Sequence, residues 1–286
     1  MRAEQEAHLW VTSADDASRA KQLTGGFEKF DGVLGINWTT DGKIIYESAP
    51  SGKPEIWSVD ANGRNLTQLA GEAGTMGASP DGKRLVYQSS DDEGDGLFRL
   101  NRGDGERKRL TTGTDIWAAF SPDGRWIIFT RYADDVALWK VSVDGGEAVK
   151  LTNSSGLPIS PTVSPDGKFI AFYRDRNGAM LFPPLSIIPF EGGEIIKAFD
   201  ASTGNFKGHG KISLQWTPEG QALDYAVTRD GVSNLWRQPL DGSPPIQITN
   251  FESMQIYNFA ASPDGKQFAL SRGTFNRDVV LIKNFE

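Results

Sequence analysis

Short apolar runs alternate with breaks rich in Gly, Pro, Asp and Ser along the whole chain. The segment AAFSPDGRWIIFTR (118–131) shows the unit: one apolar run enters Ser121-Pro122-Asp123-Gly124 and another leaves it. The same four letters recur at Ser79-Pro80-Asp81-Gly82, Ser164-Pro165-Asp166-Gly167 and Ser262-Pro263-Asp264-Gly265. Diverged copies stand at Thr39-Thr40-Asp41-Gly42 and Thr217-Pro218-Glu219-Gly220. The acidic positions, 41, 81, 123, 166, 219 and 264, are 40, 42, 43, 53 and 45 residues apart. A period of roughly 40–45 residues is that of a four-stranded propeller blade. No apolar stripe at helical spacing is sustained, so helical repeats of similar length are set aside.

Within each repeat the strand-like pieces keep a fixed order. An inner strand precedes the turn (INWT, AAFS, PTVS, LQWT, FAAS) and a second follows it (KIIYES, RLVYQS, WIIFTR, FIAFYR, YAVTR, FALSR). A third carries an aromatic residue after an aliphatic one, and a short fourth ends near Leu-Thr or Ile-Thr. β-branched and aromatic residues dominate these pieces, bounded by Gly, Asp and Asn. Runs such as Ile127-Ile128-Phe129 are apolar on both strand faces, as a blade sandwiched between two others requires. The expectation is an all-β fold: one six-bladed β-propeller of four-stranded antiparallel blades spanning residues 1–286.

The strand order leaves one conflict. HLWVTS (8–13) reads as a third strand and AKQLT (20–24) as a fourth, while VVLIKN (279–284) reads as the third strand of the last blade. Residues 1–24 then supply closing strands, but HLWVTS and VVLIKN compete for one position. Either one is displaced, or the chain begins inside a blade of a longer propeller and a seventh, partial blade exists.

Composition narrows the function. The net charge of −7 argues against nucleic acid as the main partner. Without cysteine, disulfides and thiolate metal sites are excluded. No apolar run approaches the length of a membrane span, so no membrane insertion by this chain is expected. The start, MRAEQEAHLWVTSADD, has no apolar signal-peptide core.

The six copies resemble TolB-like β-propeller repeats, WD-like blades with a Ser-Pro-Asp-Gly signature, over nearly the whole chain. The closing stretch ALSRGTFNRDVVLIKNF (269–285) is similar to the end of propeller regions attached to bacterial serine/threonine kinases and winged-helix regulators. That resemblance implies a sensor domain of a larger signalling protein, placed after a transmembrane helix and acting in the periplasm or otherwise outside the cytoplasm; without such a membrane-anchored kinase the expected place is the cytoplasm. It implies no kinase activity, because the Gly-rich loop, His-Arg-Asp and Asp-Phe-Gly are all missing.

Candidate chemistry follows from the repeats. Ser-Pro-Asp-Gly satisfies every position of a type I turn, so Asp41, Asp81, Asp123, Asp166, Glu219 and Asp264 read as turn residues. Spread one per blade, they do not converge as catalytic carboxylates must. The third-strand aromatics Trp10, Trp57, Phe98, Trp139 and Trp236 read as packing between blades. Trp117 differs, standing at the start of an inner strand near the expected channel mouth.

Arg131, Arg174, Arg229 and Arg272 each end a second strand, which puts them on one face in consecutive blades. Such an arc can attract a carboxylate, a sulfated sugar or an acidic protein surface; alternatively each pairs with a loop acid such as Asp135, Asp175, Asp230 or Asp278. The loop DDEGDG (91–96) matches the start of a calcium loop but has Arg102 where a bidentate Glu is needed. His209 lies in the long polar stretch 198–216; with His8 as the other histidine, a multi-histidine metal site is excluded.

No catalytic constellation, metal or cofactor is therefore expected. The expected function is a non-catalytic module binding a protein, peptide or glycan through one face, as a monomer, with Arg131, Arg174, Arg229, Arg272, Trp117 and His209 as candidate contacts. The alternative is a propeller enzyme of lyase, lactonase or glycosidase type acting at the channel mouth.

Overall fold

The computed structural model describes residues 2–26, 30–71, 73–92, 94–153, 156–175, 184–200 and 213–278. They form six four-stranded antiparallel sheets, the blades of a β-propeller. The inner strands are Ile36–Trp38, Gly74–Ala78, Thr114–Phe120, Leu157–Val163, Leu214–Trp216 and Gln255–Ala261. The second strands are Lys43–Ser48, Arg84–Asp91, Trp126–Tyr132, Phe169–Asp175, Ala222–Arg229 and Gln267–Asp278.

The start of the chain closes the ring. Arg2–Ser13 pairs antiparallel with Gln267–Asp278 and serves as the third strand of blade six, and Lys21–Gln22 is its fourth. The segment HLWVTS thus occupies the contested position; VVLIKN lies outside the described residues.

An apolar layer fills each of the six seams between blades. Ile127 and Phe129 face blade two, while Ile128 faces blade four. Alternation along a strand sends neighbours to opposite faces, and both faces are covered, so the whole run is apolar. The closing strand serves two seams: Leu9 and Val11 pack against blade one, and Trp10 packs toward blade five.

Cations add cross-blade ties on the face that carries the turns. Arg99 of blade two is 6% exposed and reaches Asp144 of blade three at 3.1 Å. Lys140 of blade three binds Glu191 of blade four at 2.6 Å. Arg237 holds the corresponding place in blade five but turns to Asp224 of its own blade, with paired contacts of 2.7 and 2.8 Å.

The turns themselves share one geometry. In all six, the Gly N–H donates to the carbonyl of the first residue, at 2.8–2.9 Å, and each Gly has a positive φ of 67–80°. In the four Ser-Pro-Asp-Gly copies the Ser hydroxyl donates to the Asp carboxylate, and the residue after Gly donates its N–H to the same oxygen. The hydroxyl bond holds these carboxyls below the ordinary carboxylate range. A folded pKa below the unfolded one gives stability that is present above pH ~4 and lost as the pH falls through the folded value. Asp123→Asn should therefore be less stable than the parent at pH 7, by less than about 1 kcal/mol because the group is solvated. The difference should shrink by pH 3, as measured by urea midpoints at the two pH values.

Candidate functional site

An antiparallel meander places the Ser-Pro-Asp-Gly turns on one face of the ring. The loops after second strands and before inner strands share the other, called here the loop face. Inner strands that lead away from it carry bulges. In blades three and four the pairing slips between Ile116 and Ala119 and between Ile159 and Thr162. The residues inside these bulges, Trp117 (φ 54°) and Ser160 (φ 52°), are left-handed, which is uncommon for any residue other than glycine. A bulge re-aims a side chain. Trp117 is half-buried, packs against the apolar layer of blades four and five, and meets Tyr132 edge to face at 6.4 Å. Tyr132 itself is 39% exposed.

The arginines do not form one equivalent arc. Measured from the turn that opens each second strand, Arg131, Arg174 and Arg272 share a register. Arg229 stands two places further out, and Val227 holds the equivalent place in blade five. The second strand of blade six also runs past Arg272 to Asp278.

Their partners differ as well. Arg131 grips Asp115 with two bonds of 2.8 Å, and Asp115 is fully buried directly opposite it. These bonds raise the guanidinium pKa further. Asp135 goes instead to Lys150. Arg229 is exposed and stacks over Trp236 at 5.0 Å. Arg174 is half-buried beside a small cavity of about 70 Å³, lined also by Thr152, Asn153 and Glu194.

The third-strand aromatics turn out to be coupled to these cations. Arg131 lies over Trp139 at 4.8 Å, Arg272 over Trp10 at 5.3 Å and, in blade two, Arg107 over Phe98 at 4.0 Å. Trp57 donates instead to Glu55, at 2.9 Å. A cation on an aromatic face gains about 0.5–2 kcal/mol according to its exposure.

Other candidates contribute less. His209 and Glu93 of the DDEGDG loop lie outside the described residues. Among the described residues, no group of three or more His, Asp or Glu side chains is arranged to hold a metal ion. Sequence reasoning missed Tyr132, the Asp115 clamp and the Asp224–Arg237 pair. The last had a readable signal. Position 224 corresponds to Ile45, Val86, Ile128, Ala171 and Ala269 in the other blades, all fully buried, and an acid breaks that series. Burial raises the Asp224 carboxyl, against the opposing pull of Arg237.

A six-bladed ring with an aromatic and arginine-bearing loop face places the chain among the β-propeller proteins. The chain belongs to the TolB beta propeller domain family (PD40), whose family model matches residues 37–187. An uncharacterized protein of Agrobacterium fabrum is 29% identical over 228 residues, covering 75% of this chain and 76% of that protein. A TolB homolog of Chlorobium luteolum is 28% identical over 172 residues, 59% of this chain and 37% of the homolog. Among solved structures, TolB from Acinetobacter baumannii superposes with a TM-score of 0.66 at 19% identity, covering 94% of this chain and 64% of that one. An oligogalacturonate lyase in complex with manganese gives 0.57 at 18% identity, covering 92% of this chain and 78% of the lyase. These structural likenesses show the fold alone. The chain spans only about a third of the Chlorobium homolog's length and under two thirds of the Acinetobacter chain.

Proposed function

We propose that this propeller is a non-catalytic binding module that takes a protein, peptide or glycan on its loop face, as the sensor part of a bacterial signalling protein. The observation that carries the reading is the Trp117–Tyr132 pair. A left-handed, bulged tryptophan beside an exposed tyrosine forms an apolar platform at the inner-strand mouth, which is the composition of an interface centre. Arg229, exposed and braced on Trp236, gives the same face a cation for an acidic group. The Asp115 clamp argues that Arg131 positions the platform rather than reaching a partner. TolB kinship is compatible with a binding role.

The test uses exposed residues, so folding is not at stake. Tyr132→Ala combined with Arg229→Glu should weaken capture of partners from an extracytoplasmic extract of the parent cells by more than about tenfold. The captured set is identified by mass spectrometry. An unchanged set at unchanged yield would sink the reading.

A further inference from the structure

Arg272 breaks the pattern set by Arg131. The two occupy the same register, yet the inner-strand residue opposite Arg272 is Ile256, where blade three has Asp115. Arg272 is 6% exposed, and among the described residues its hydrogen bonding is limited to Nη2 donating to the Ser253 carbonyl at 3.0 Å. Nε is buried without an acceptor. Burial alone brings this guanidinium down to about 10. A buried charge without a counter-charge costs several kcal/mol, so the place favours whatever anion can reach it.

Two more nitrogens on the same sheet face share the deficit. His8 lies directly opposite Arg272, and Trp10 follows two residues along the same strand. His8 Nδ1 and Trp10 Nε1 are both buried without a hydrogen-bond partner. His8 Nε2 is already bonded to Glu6 at 2.8 Å. Arginine Nε–H and indole N–H are obligate donors, so only an acceptor can satisfy them. Phe251 covers the group, its ring 3.6 Å from the guanidinium. It belongs to the loop entering blade six, where Met254 is held at φ 66°.

We propose that the seam of blades five and six holds an oxyanion niche. Arg272 and Trp10 donate to a carboxylate or phosphate oxygen beside His8, and Phe251 is the cover that the anion displaces. The niche stands whether or not the loop face takes a partner. Its chemistry is that of a small oxyanion, free or carried on a larger ligand.

The experiment is a ¹⁵N–¹H titration of the full chain at constant ionic strength, with inorganic phosphate and, separately, acetate. The Trp10 indole and Arg272 Nε–H signals should move together and saturate, with a Kd near or below about 10 mM for at least one anion. Phe251→Ala should tighten that Kd by about threefold or more, since the bound form no longer competes with the cover. Lys168→Gln, exposed beside a turn on the opposite face, should leave it unchanged. Saturation by acetate alone identifies a carboxylate site, and by phosphate alone a phosphate site. If neither anion gives a saturable shift of both signals, in the parent chain or in Phe251→Ala, the niche does not exist and Arg272 is a structural clasp.

Discussion

Removal of residues 1–13 is expected to abolish cooperative unfolding. The strand Arg2–Ser13 is held along its whole length by Gln267–Asp278, and it is the third of four strands in blade six. Leu9 is fully buried and Val11 nearly so against blade one, and together they contribute about 4 kcal/mol of apolar burial. Trp10 packs on the other face toward blade five. Without the strand, both seams of blade six lose a wall and the second strand becomes an exposed edge, a template for aggregation. A peptide of residues 1–24 added in trans should restore the cooperative transition by strand addition. Circular dichroism during urea titration reads both outcomes. A shortened chain that unfolds with the parent's midpoint would show that the ring closes in another way.

Asp115→Ala should lower the unfolding free energy by about 3 kcal/mol. Breaking a buried ion pair strands the partner charge, which costs about 3–5 kcal/mol. Arg131 is 22% exposed, so it recovers some hydration and the lower end applies. The loss should extend to the platform, because the Asp115–Arg131 pair sits where the inner strand enters the Trp117 bulge. Trp117→Ala should weaken binding strongly. The denaturant midpoint of Asp115→Ala, compared with that of Asp135→Ala, separates the clamp from a loop contact. Equal small effects would contradict it.

The blade repeat was legible because its signature is local. Pro, Asp and Gly at fixed turn positions act through their own backbone, and no distant contact is needed to recognise them. The identity of the closing strand was not legible. HLWVTS and VVLIKN are both short apolar strands, and register across the sheet decides between them, which periodicity does not encode.

The site divides in the same way. Placement of arginines on one face followed from topology, but their partners depended on cross-strand register beyond the bulges. Asp115 therefore went unrecognised as the acid beneath Arg131. The offset of Arg229 could have been found by counting: Arg131 follows Gly124 by seven places, and Arg229 follows Gly220 by nine. The bulges at Trp117 and Ser160 left no sequence signal, since neither residue is one that favours a left-handed backbone.

A partner seated on the loop face should lie within reach of Tyr132 and out of reach of the turns on the opposite face. Site-specific photocrosslinking in the parent cells tests it directly, with a benzoylphenylalanine placed at Tyr132 on the loop face or at Lys168 beside a turn. Illumination should give a discrete adduct of defined mass from position 132 and none from position 168. The same adduct from both positions, or from 168 alone, would rule out the loop face as the binding surface.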